Sequence, residues 1–97
     1  MNTFAVLRPA AWFSVLDLEK SAGTAARVVQ EEMAGRIRWI RSYVISHENG
    51  RLGMVCIYEA ANSEDVREHA ERSGLPVTEI LPVRTTVVIN DESSAAL

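Results

Sequence analysis

The chain reads as an α+β domain of the ferredoxin-like, split βαβ kind, with its elements in the order β-α-β-β-α-β. Three observations predict it. Two runs rich in β-branched and aromatic residues, 37–46 and 51–60, flank His47-Glu48-Asn49-Gly50, and Asn-Gly is the strongest short-range hairpin signal. A helical period fills the stretch before the hairpin, and a capped helix closed by Gly74 and Pro76 follows it. A short apolar run opens the chain and a longer one, with VRTTVVI at its centre, lies near its end.

Taken in order, residues 3–7 suit a strand that Arg8-Pro9 ends, and 9–13 form an apolar connection in which Trp12 and Phe13 should cover something. From Ser14 onward Val15, Leu18, Ala22, Ala25, Ala26, Val29 and Met33 recur at steps of three and four, which predicts a helix. Ser14 or Asp17 can cap its start and Gly35 stop it. Gly23 weakens its middle by up to about 1 kcal/mol relative to alanine, so a start after Ser21 or a bend is expected. Asn62 or Ser63 caps the second helix, where Asp65 favours the positive N-terminal end and Val66 and Ala70 face inward. Residues 81–89 make the last strand. Residues 1–90 form one domain, and 91–97, small and polar, are a frayed tail.

A two-residue Asn49-Gly50 turn sets Glu48 opposite Arg51 and pairs Ile45 with Met54, Tyr43 with Cys56 and Arg41 with Tyr58. One face then carries Trp39, Arg41, Tyr43, Ile45, Met54, Cys56 and Tyr58. The other carries Ile40, Ser42, Val44, Val55, Ile57 and Glu59. A four-residue loop keeps this sorting, since only an odd change in loop length swaps one strand. Both faces are largely apolar, yet two helices cover only one. The smaller aliphatic set suits the helices, which leaves the aromatic set to be covered by a second copy. At roughly 25 cal/mol per Å² of apolar area, that burial drives association before its costs are subtracted. A homodimer with facing sheets is expected. If the aromatic face lies under the helices instead, the dimer argument weakens and the fold does not.

Composition bounds the rest. The 97 residues allow one modest core, and 47% hydrophobic with 24% charged residues is ordinary for a soluble domain. A net charge of −3 argues against general affinity for nucleic acid or anionic membrane. Cys56 is the single cysteine, so no intrachain disulfide forms. The start lacks a signal-peptide core, and no apolar run approaches the roughly 18 residues of a membrane span, so a cytosolic protein is the default.

The strings RWIRSYV, CIYEA and DVREHAERSGLP resemble a small bacterial domain-of-unknown-function family that includes a nickel-binding protein. The matching positions are Trp39, Ser42-Tyr43-Val44, Cys56, Tyr58-Glu59-Ala60, His69-Ala70 and Gly74-Leu75-Pro76, about half the chain. The resemblance implies a ferredoxin-like homodimer that in some members binds nickel.

Two constellations carry candidate chemistry. Glu59 and His69 offer an imidazole and a carboxylate, which suit a divalent first-row metal or a general base with its orienting partner. A hydrogen bond tying helix to strand, which satisfies two half-buried polar groups, is the more common reason for such a pair. Trp39, Arg41, Tyr43, Cys56 and Tyr58 could bind a flat anionic ligand, with Arg41 lowering the thiol's pKa. Against that, one cysteine in a strand usually serves as a small hydrophobe. His47 reads as a solvated turn residue, and Arg8, Arg38 and Arg84 as solvated charges. No phosphate loop, dinucleotide turn or nucleophile elbow is present. Binding of a ligand or metal, for sequestration or sensing, leads. A small enzyme of the dimeric α+β barrel type, using Tyr43, Tyr58 and His69 for proton transfer on a hydrophobic substrate, is the alternative. An interaction module is the third.

Overall fold

The structure, a computed structural model, describes residues 1–90. The tail expected at 91–97 lies outside the described residues. The predicted order holds: β1 (Asn2–Trp12), α1 (Val15–Glu32), β2 (Ile37–Ser46), β3 (Leu52–Ala60), α2 (Ser63–Ser73) and β4 (Glu79–Pro82). The strands form one antiparallel sheet in the order β2-β3-β1-β4. Both helices pack on one face, with the core between.

Local chemistry explains the boundaries. Ser14 Oγ accepts from Asp17 N–H at 3.2 Å and starts α1, which runs unbroken through Gly23. Asn62 Oδ1 accepts from Asp65 N–H at 2.9 Å, and Gly74 closes α2 in the left-handed conformation at φ 69°. Leu18, Ala25 and Val28 form α1's buried stripe and Met33, just past its end, is buried too, while Val15 is exposed.

Two strands depart from expectation. β1 continues past Arg8-Pro9 to Trp12 with an irregularity between Arg8 and Trp12, so the expected connection is strand. Trp12 is buried and its Nε1–H donates to Ser21 Oγ at 3.0 Å; Phe13 is exposed under the Arg51 guanidinium, 4.3 Å from the ring centre. β4 is shorter and earlier than 81–89. Its pairing with β1 ends with Val83 N–H donating to Thr3 O at 2.8 Å, and 84–90 leave the sheet.

The hairpin register decides which face each side chain takes. His47 N–H donates to Arg51 O, so Glu48, Asn49 and Gly50 form a loop of three residues, with Gly50 at φ 84°. That is one residue longer than the tight turn, and an odd change swaps the strand's faces. Ser42 pairs with Cys56 and Tyr43 with Val55. A bulge then restores the parity: Arg41 pairs with Ile57 but Trp39 with Tyr58, leaving Ile40 as the extra residue. The expected aromatic face is therefore divided. Trp39, Met54, Cys56 and Tyr58 lie under the helices, whereas Arg41, Tyr43 and Ile45 look out from the opposite face.

Among the described residues no helix is long and apolar enough to cross a membrane.

Candidate functional site

The sheet presents two polar environments, one on each face. On the helix side, alternation along β1 places Phe4, Val6 and Arg8 in line, opposite Tyr58, Cys56 and Met54 of β3. Arg8 is only 5% exposed. Its Nη2 donates to Tyr58 Oη at 2.8 Å, its Nη1 to Pro76 O at 3.0 Å and its Nε to Cys56 Sγ at 3.4 Å. Those partners are a phenol, a backbone carbonyl and a thiol, with no carboxylate. Taking Arg8 for a solvated charge is thus corrected. The signal was its even spacing from Phe4 and Val6, hidden by ending the strand at Arg8-Pro9.

His69 enters the same region from α2. It is fully buried; its Nε2–H donates to Ala25 O at 3.0 Å, and its Nδ1 has no partner. Its ring lies 5.3 Å from Tyr58 and 6.2 Å from Trp39, while Trp39 and Tyr58 stack at 5.5 Å. Burial holds the imidazole below its ordinary pKa, and the charge of Arg8 adds to that effect. Burial likewise pushes the Tyr58 phenol up, so it stays protonated beside Arg8. This cluster ties α2 to the sheet and aligns three aromatic rings.

The open face is different. Ala5, Leu7, Val55 and Ile57 are half-buried there, and Tyr43, Ile45 and Leu81 are exposed. An open groove of about 810 Å³ runs across it. Its floor is Thr3, Arg41, Tyr43 and Ile57, and its outer wall is the chain at 86–90. Arg41 Nη1 donates to Tyr43 Oη at 3.4 Å, which sets a guanidinium beside a phenol over an apolar floor. Glu59 is also on this face and accepts from Arg38 Nη1 at 3.1 Å.

Glu59 and His69 therefore do not meet. Glu59 alternates with the buried Tyr58 and Ala60 and points away from the helices, because the three-residue loop does not alter β3's own alternation and β3's even positions face inward. The five residues expected to hold a flat anion are likewise parted, Trp39, Cys56 and Tyr58 inside and Arg41 and Tyr43 outside. Arg41 lies on the face opposite Cys56, so it does not tune that thiol. The proton-transfer set Tyr43, Tyr58 and His69 is split in the same way.

A metal fares no better in one copy. Among the described residues no three of His, Cys, Asp and Glu gather to hold an ion. The bare Nδ1 of His69 is a suitable donor in type, but it sits among aromatic rings with the Arg8 cation close by, and the set does not fit nickel. His47 is better placed than a turn residue suggests. A Cβ at Gly53 would lie 3.0 Å from His47 Nε2 and 3.0 Å from Arg8 O, so the imidazole folds back over the open face where glycine leaves room.

Comparison with known proteins agrees with this architecture. The model of the family "Nickel responsive protein SCO4226-like" matches residues 6–83. The crystal structure of SCO4226 from Streptomyces coelicolor A3(2) superposes with a TM-score of 0.71 at 16% identity, covering 88% of this chain and 99% of that one. At that identity the likeness establishes the fold. No curated protein matches the chain in sequence.

Proposed function

The chain belongs to the nickel responsive SCO4226-like family, and from that premise we propose that it is a small nickel-binding homodimer serving sequestration or sensing. The observation that carries this reading is the family match, which runs from within β1 to the end of β4. The open face supports the homodimer. Its half-buried aliphatic floor and exposed Tyr43, Ile45 and Leu81 form the kind of contiguous apolar surface that a second sheet covers. With Trp39, Met54, Cys56 and Tyr58 under the helices the dimer argument is weaker than the sequence suggested, and it rests on the smaller side chains of the open face.

In this reading the metal draws on donors of two copies. The open face presents His47 near one end of β3, and Glu59 and Glu79 elsewhere on the same surface. A twofold axis across the strands brings the His47 end of one copy toward the Glu59 end of the other. Imidazole with carboxylate suits a divalent first-row ion.

Calorimetric titration of metal-free protein with nickel, alongside sedimentation, tests both parts. His47→Ala and Glu59→Ala are expected to weaken nickel binding at least about tenfold, the scale of removing one ligand or its support. His69→Ala, where folded, should leave it unchanged. Wild-type protein that takes up no nickel, or unaltered binding in both open-face variants, overturns the metal site.

A second reading rests on the groove itself. Arg41 and Tyr43 above Ile57 suit a flat apolar anion, the guanidinium taking the charge and the floor the rings. Fluorescence titration of Tyr43→Phe and Arg41→Gln with aromatic carboxylates distinguishes it, since neither change removes a nickel donor.

A further inference from the structure

We infer that the segment 84–90 is an exchange arm, which in the homodimer proposed above leaves its own sheet and adds to the outer edge of the second copy's β2. This rests on the dimer reading but is separable from it. The ladder between β4 and β1 stops at the Val83–Thr3 bond, and beyond it 84–90 make no backbone hydrogen bond among the described residues. Yet the run Val87-Val88-Ile89 is β-branched throughout, the composition of a paired strand. These three side chains are 76%, 72% and 82% exposed. Crossing its own groove, the arm walls it over Arg41 and Tyr43 while its three aliphatic side chains stay exposed.

Its position also conflicts with docking. Facing sheets pack about 10 Å apart, which leaves room for interdigitated side chains but not for a further layer of backbone. For two open faces to meet, the arms must move aside. The sheet offers a place for them. β2 ends the strand order, so its outer row of backbone groups is unpaired within one copy, and Tyr43, Val44 and Ile45 along it are exposed. A long apolar edge of this kind invites strand addition. An arm with unpaired backbone and three bare aliphatics is its complement. Twofold symmetry makes the exchange reciprocal, so both arms and both β2 edges are satisfied in one closed assembly.

Two measurements on the full chain test this. Val87→Asp with Ile89→Asp is followed by sedimentation equilibrium, with circular dichroism confirming the fold. Separately, Val88→Cys protein is mixed with Ile45→Cys or Val44→Cys protein under mild oxidation, and mixed disulfide dimers are identified by mass. The expected result is a dimer dissociation constant raised about 100-fold or more, since reciprocal exchange loses two buried anchors from each of the two arms, together with a mixed Val88–Ile45 or Val88–Val44 disulfide. An unchanged dissociation constant with no mixed disulfide overturns the arm and leaves the sheet-to-sheet dimer standing. A wild-type monomer at micromolar concentration overturns both.

Discussion

The two faces of this sheet are built from the same strands but differ in what they complete. Under the helices, Tyr58, Trp39, His69 and Arg8 fill a closed layer in which the polar atoms apart from His69 Nδ1 find partners within the copy. On the other side, Tyr43, at 48% exposed, stands over an apolar floor, and among the described residues only the chain at 86–90 walls it. One face is closed architecture and the other is open surface, the one that the proposed dimer covers. In the proposed dimer the first carries stability and the second association, and substitutions can be chosen to separate them.

The largest effect should come from emptying the closed face. Tyr58→Ala removes a fully buried ring and strands the Arg8 guanidinium, and is expected to cost about 3–5 kcal/mol in urea unfolding at fixed protein concentration. Tyr43→Ala is the matching change on the open face. It should cost under about 1 kcal/mol in monomer stability while loosening the proposed dimer measurably in sedimentation. Equal losses from both would erase the distinction between the faces.

Gly53→Ala acts on the seam between them. The new methyl would meet Arg8 O, a backbone atom that cannot swing aside, at 3.0 Å as well as the His47 ring, and a loss of about 1–3 kcal/mol is expected from thermal or urea melts. Because His47 must then leave its place, nickel titration of the same variant sharpens the proposed role of that imidazole.

A smaller effect is expected from pH. The buried His69 resists protonation, so below its ordinary pKa of 6.5 the unfolded chain takes up a proton that the folded chain refuses. The contribution is complete above pH 6.5 and is lost as pH falls through the depressed folded value. Unfolding curves between pH 7.5 and about 5 should show that decline. His69→Gln should flatten the decline relative to wild type even though its absolute stability is lower. A wild-type profile that stays flat over this range would mean that the imidazole is hydrated.

The smallest change is reserved for the outer surface of the helix layer. There Arg36 bonds Asp65 at 2.7 Å and Glu68 at 2.8 Å, and Arg72 joins Glu68 to Glu32. Arg36 holds the Glu68 carboxyl down at about 2. These groups are solvated, so Arg36→Ala should shift melting within experimental scatter and mainly reduce its salt dependence.

Much of this could be read from the chain. Ser14, Asn62 and Gly74 act where their side chains or backbone freedom require, because caps are local devices needing only neighbours within one turn. The hairpin lies where Asn49-Gly50 placed it, and Trp39 does meet Tyr58. The candidate site was less legible. Glu59 and His69 share a side only if the odd positions of β3 lie under the helices, whereas its even positions, Tyr58 among them, face inward. Arg8 was overlooked because Pro9 suggested an end to a strand that in fact continues.

What the amino-acid order determined by itself was the succession of elements and the residue types that close them, since those follow from interactions a few positions apart. Only the tertiary structure decided which side chains share a surface. A three-residue loop and a bulge at Ile40 each reverse the alternation of β2, and both depend on how the strands settle over a common core. Side chains alternate every second residue along a strand, so a single-residue shift moves a ring from a packed interior to the outside.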